Sequence, residues 1–285
     1  MPLDDVRSRI AAMVRAGVIG DRERAATRHA ELFEAPGERW FEEESPIRRV
    51  HADSAMFVGG LRALLLQSLH PLAMAGVAEH SDYRHDPWGR LQRTADFLAS
   101  TTYGPIDQAE RAIARVHAVH ERVTGVASDG RPYAANDPHL LRWVHLAEVD
   151  SFLAAHTRHG AEPLLDDERD EYVAQMAVIA RGLGVPAPPE SVRALRDQLR
   201  AYRPELRGTP EARDAARYLL LQPPMHPAAR PVYGVIAAAA VAMLPRWARM
   251  PLRLPWMPVT ERMAVRPAGD ALTRWLRWAL TEPAV

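Results

Sequence analysis

Two residue types are missing altogether. The 285-residue chain contains no cysteine, which excludes disulfides, thiolate nucleophiles, iron–sulfur clusters, zinc–thiolate sites and a thiolate-ligated haem. It contains no lysine either, so all 36 basic residues are arginines. Schiff-base and lysine general-base chemistry are thereby excluded, and a redox-active metal is expected to rest on nitrogen or oxygen ligands. No sign of charge is in excess: 36 acidic residues balance the arginines. That argues against nucleic-acid binding driven by bulk electrostatics. Long apolar runs are scarce too. The longest weakly polar stretch, 232–244, is shorter than the ~20 residues a spanning helix needs. The first twenty residues have neither the basic–apolar–small order of a secretory leader nor a twin arginine. The expectation is a cytoplasmic protein with no transmembrane segment. Among catalytic signatures there is no GxSxG, P-loop, HExxH or strand-borne GxGxxG, and no paired Glu-x-x-His of the di-iron kind.

What is present is helical. With 47% hydrophobic and 25% charged residues, the chain has an ordinary globular composition and is long enough for a sizeable core. Residues 1–45 read as an N-terminal helical arm and 46–285 as the main domain. The stretch RALLLQSLHPLAMAGVAEHS from Arg62 is apolar nearly all round. It predicts a buried helix interrupted at His70-Pro71. Helical patterns follow at 88–98, 163–183, 191–202, 209–221, 232–243 and 268–280, separated by Gly- and Pro-rich breaks. The last, with Trp275, Leu276 and Leu280, reads as a face that closes a pocket, forms a homodimer or packs internally. No run of period-two strands and no internal repeat is evident. The fold class is all-α.

Histidines concentrate in 106–152. His117 and His120 stand three apart, on one face of a helix whose stripe is Ala112, Ile113, Val116 and Val119. After a turn-rich loop, Asp137-Pro138 has the form of an N-cap followed by a first-turn proline. It opens a helix that carries Leu141, Val144, His145 and Phe152 near one inward face. Upstream, Arg90 and Thr94 lie one turn apart, with Arg93 three residues from Arg90. Such arginines can hold a carboxylate through forked hydrogen bonds, or simply pair with acidic neighbours on an exposed face.

The array GGLRALLLQSLHPLAMAGVAEHS, DPWGRLQRT, RVHAVHERVTG and GRPYAANDPHLLRWVH, in that order, resembles the DUF2236 family. These are the MpaB-like and latex-clearing (rubber) oxygenases. The resemblance implies a globin-like multi-helix bundle around a central pocket for haem b. It also implies an oxygenase that uses iron and O2 on a hydrophobic, unsaturated, isoprenoid or lipid-like molecule. By position, His120 matches the proximal iron ligand, with His117 and His145 lining or supporting the pocket. Arg90, Arg93 and Thr94 match the distal motif, and Arg90 is also a candidate for holding a propionate. Arg93 stands where the rubber-cleaving members carry lysine, and a guanidinium cannot ligate iron.

Two other readings follow from the same residues. One is a non-haem-metal oxidoreductase using some combination of His70, His80, His117, His120 and His145. The other is a non-catalytic helical protein that binds haem or a lipophile.

Overall fold

The computed structural model describes residues 30–280, and these form an all-α protein with one small ribbon. Most of the arm expected over 1–45 lies outside the described residues. Of the remainder, Ala30–Glu34 is a π-helical turn, and Leu32, Phe41 and Ser45 are buried.

The helices begin where the chain places its proline and capping residues. Helix α1 (Pro46–Ala52) starts on a first-turn proline. Helix α2 (Met56–Gln67) and helix α3 (Pro71–His80) are the halves of the apolar stretch, and their axes differ by 108°. The break has a simple cause. Pro71 lacks an N–H and holds the residue before it in extended backbone, so His70 sits at φ −86°, ψ 115°. No single described helix is long and apolar enough to cross a membrane; α2 and α3 reach that length only as this bent pair. Helices α4 (Pro87–Tyr103) and α5 (Ile106–His120) form a hairpin closed by Gly104-Pro105. The Asp86 carboxylate caps α4 by accepting the Gly89 N–H at 2.9 Å.

Next comes the one departure from all-helical structure. Thr124–Val126 (β1) and Pro132–Ala134 (β2) pair antiparallel, Gly125 opposite Tyr133, around a turn with Gly130 at φ 85°. Three residues per strand are too few to leave a period-two signature. The central helix α6 (Pro138–His159) then starts as expected: the Asp137 carboxylate accepts the His139 N–H at 2.8 Å. Helices α7 (Asp166–Gly182) and α8 (Val192–Tyr202) follow, the first ended by Gly184 at φ 83°, the second capped by Ser191. Beyond them lie α9 (Pro210–Leu221), α10 (Arg230–Met243), the short α11 (Arg246–Arg249) and α12 (Pro258–Thr260), and α13 (Arg266–Leu280).

The core is built on α2 against α6. They approach closely at Gly59, where an added Cβ would lie 3.1 Å from both Ala155 Cβ and Phe152 Cδ1. Leu65, Leu66, Trp143, Leu146 and Val149 are fully buried between them and their neighbours. Removing each such side chain from water contributes about 1.5–3 kcal/mol, against the entropy of ordering it. Because α6 is covered on nearly every side, its burial is not confined to one face. Val144, expected inward, is 36% exposed, while Leu140, Trp143 and Ala147 are buried. On α5 the buried stripe stops at Ala109, Ala112 and Ile113. Ile113 is the residue an added Cβ at Gly182 would meet, so α7 ends there, and Val119 lies beyond that cover, half exposed. Leu276 of α13 is buried internally.

Candidate functional site

The α4–α5 hairpin brings Arg90, Arg93 and Thr94, at the start of one helix, to the same open end as His117 and His120, at the end of the other. The five residues are not equivalent. Arg93 points to solvent and pairs with the capping carboxylate of Asp86 at 3.1 Å. The Thr94 hydroxyl donates to the Arg90 carbonyl one turn back, at 3.0 Å. Arg90 turns inward instead. Its Nη1 is sealed from water with no hydrogen-bond partner among the described residues, and burial, then the neighbouring Arg93 charge, lowers its pKa.

The two histidines also divide. His117 lies 3.1 Å from the Gly182 carbonyl, a contact in which its Nε2–H donates. The His120 imidazole makes no hydrogen bond to a described residue. Burial, and to a lesser degree His117, lowers its pKa, so it is neutral at pH 7. A neutral imidazole with a ring nitrogen free of other partners can ligate a metal.

His145 stands on α6, and no hydrogen bond joins it to the hairpin residues. It is buried, its Nε2 has no partner, and desolvation pushes its pKa down to about 4. One turn on, Glu148 has its carboxyl pushed up to about 7 by burial although its side chain is not fully covered. Packing protein around part of a carboxyl is enough to disfavour its charged form. Behind it, the Tyr172 hydroxyl is sealed without a hydrogen-bond partner among the described residues, its pKa raised by burial and then by Glu148. His51 gives one nitrogen to the Thr102 hydroxyl at 2.8 Å and has the other sealed; burial pushes it down to about 3. His51, Glu148 and Tyr172 were not legible as site candidates. The only hint was a glutamate three residues after His145, on the same helix.

A second cluster assembles His70, His139 and Glu205, whose nearest ligand atoms all lie within 4.8 Å of one another. His70 precedes the Pro71 break, His139 is in the first turn of α6, and Glu205 follows α8. Of the remaining histidines weighed for a non-haem metal, His80 contacts the Tyr133 hydroxyl at 3.2 Å instead.

A family model described as "ER-bound oxygenase mpaB/B'/Rubber oxygenase, catalytic domain" matches residues 48–278. No curated protein and no solved structure matches the chain.

Proposed function

Since the chain belongs to the mpaB and rubber oxygenase family over residues 48–278, it is an oxygenase catalytic domain, and we propose that it depends on haem b and acts on a hydrophobic, unsaturated small molecule. The observation that carries the haem reading is the set of unanswered polar groups at and behind the hairpin. Arg90 Nη1 and His145 Nε2 are sealed without partners, and His120 is an uncommitted neutral imidazole. Buried polar atoms are ordinarily satisfied, so a group that supplies both a carboxylate and a metal would answer them together. Haem does so with its propionates and its iron.

In this reading His120 would give a ring nitrogen to the iron, and a bound haem would supply the activation of dioxygen. Burial holds His120 neutral, so no proton must leave before it binds. His117, tied to Gly182, braces the last turn of α5 on which His120 stands. The inward guanidinium of Arg90 offers charged N–H donors to a propionate. Arg93, held by Asp86 in solvent, stays out of the iron's coordination. His145 is neutral at any pH above about 4 and Glu148 holds its proton up to about 7. Between about pH 4 and 7 these two side chains therefore bring no full charge, which suits the binding of an apolar alkene beside them.

The test is an absorption spectrum of the purified protein, oxidised and then reduced with and without carbon monoxide, with a haemochrome assay. The expected result is a Soret band with about one b-haem per chain, lost in His120→Ala and kept in His117→Ala. A protein that stays colourless after reconstitution with haem, or a His120→Ala spectrum identical to the parent's, overturns the assignment.

A further inference from the structure

Outside the hairpin, one group of side chains has donors and spacing without a use. His70 is 1% exposed, and neither of its ring nitrogens has a hydrogen-bond partner among the described residues. The extended backbone imposed by Pro71 leaves its side chain free of any capping bond. It faces a carboxylate: Nε2 lies 3.4 Å from Glu205 Oε2, without hydrogen-bonding geometry. The same oxygen lies 2.8 Å from His139 Nε2. Ligands on a tetrahedral ion with bonds of ~2.0–2.1 Å stand ~3.3 Å apart, and these two separations bracket that value.

The surroundings are organised as a metal site's are. Tyr202 stacks on His139 with ring centroids 4.6 Å apart, and its hydroxyl donates to the His139 carbonyl at 2.8 Å. That hydroxyl is then free to accept from His139 Nδ1, 3.2 Å away. A proton held on Nδ1 leaves the Nε2 lone pair facing His70 and Glu205, the tautomer control typical of ligating histidines. Glu205 is held independently, through its N–H to the Tyr202 carbonyl at 2.9 Å and through the Arg207 N–H to the Leu69 carbonyl at 2.8 Å. The latter bond fastens the Glu205 turn to the residue beside His70.

We infer that His70, His139 and Glu205 form a site for a divalent transition-metal ion of the zinc class, separate from the haem site, with water at the fourth position. Two imidazoles and one carboxylate suit such an ion and not calcium or magnesium, which take oxygen ligands. Glu205 and His139 reach the surface, so the fourth position opens to solvent. The bound ion joins three segments far apart in sequence: the α2–α3 break, the first turn of α6 and the turn after α8.

The test uses the full chain stripped with EDTA and titrated with Co2+ and with Zn2+. The expected result is one ion per chain, with the intense visible bands of tetrahedral Co2+ displaced by Zn2+. Glu205→Gln, close to isosteric, and His139→Gln should each weaken binding by more than about 10-fold, and Tyr202→Phe, which keeps all three ligands, by about 10-fold. Haemochrome content is read on the same samples, and it should match the parent's in Glu205→Gln, so that loss of this ion is distinguished from loss of haem. Absence of stoichiometric binding by the parent, or equal affinity in parent and Glu205→Gln, overturns the site.

Discussion

Arg249 and Arg90 are both turned inward, and the molecule treats them in opposite ways. Arg249 is 1% exposed, and all three of its nitrogens are answered. Nε donates to the Leu244 carbonyl at 2.7 Å and Nη2 to that of Ala242 at 2.6 Å, while Nη1 reaches Glu261 Oε1 at 2.5 Å. Its charge also lies over the Trp256 ring, 4.6 Å from the centroid. Burial raises the Glu261 carboxyl, but the guanidinium and the Met257 N–H outweigh it and hold it below its ordinary value. Elsewhere in the interior the accounts stay open: Arg90 Nη1 near the start of α4, His51 Nε2 toward its other end, the Tyr172 hydroxyl whose ring lies beside His51, and His145 Nε2 on α6 all lack hydrogen-bond partners among the described residues. The first region is complete within the chain and serves structure. The second keeps desolvated polar groups, a costly arrangement that persists in native proteins chiefly where a ligand or a reaction uses it.

If this contrast holds, substitutions in the two regions should differ in sign as well as size. The largest effect is expected at the closed site. Arg249→Met leaves Glu261 as a buried unpaired charge and should lower unfolding free energy by about 3–5 kcal/mol in urea titrations. The double variant Arg249→Met, Glu261→Leu should recover much of that loss, because both charges leave together. A double variant no better than the single would mean that the carbonyl contacts of Arg249, not the pair, hold this region.

In the open region a polar group can be made less costly. The Glu148 carboxyl is raised from 4.5 to about 7 in the folded chain, so between those values the folded state holds a proton that the unfolded state has released. Stability therefore falls as pH rises from about 4.5 to 7, and the deficit is complete above it. In haem-free protein, Glu148→Gln should raise stability by about 2 kcal/mol at pH 8 and leave it nearly unchanged at pH 4.5. Equal effects at the two pH values would mean that folding does not desolvate the Glu148 carboxyl.

The smallest effect is expected at Tyr172. Its hydroxyl is buried without a hydrogen-bond partner among the described residues, so Tyr172→Phe should shift stability by no more than about 0.5 kcal/mol in either direction. A loss above about 1 kcal/mol would show that the hydroxyl is hydrogen-bonded after all, and the contrast with Arg249 would weaken.

Much of the fold was legible because the chain punctuates its helices with proline and capping side chains. Pro71 announced the α2–α3 break, Asp137-Pro138 the start of α6, and the 209–221 pattern the place of α9. Periodicity served less well where cover is uneven. It placed Val119 and Val144 inward, because a stripe on one helix does not tell where the neighbouring helix ends. The ribbon at 124–134 was too short to register. Of the hairpin, the histidine and arginine types and their spacing were visible; that Arg90 turns in while Arg93 turns out depends on Asp86 capping the helix and drawing Arg93 to itself. The His70, His139 and Glu205 group was beyond reach of any local pattern, since its members lie 66 or more residues apart and meet only through packing.

The 22 residues of α6 act as one stiff shaft about 33 Å long. His139 rides near one end, His145 and Glu148 toward the middle, and His159 at the other end, clasped to Asp270 at 2.6 Å. A helix wedged against α2 at Gly59 cannot slide there without its whole length sliding. Whatever fixes its first turn therefore also sets the height at which His145 and Glu148 stand in the core.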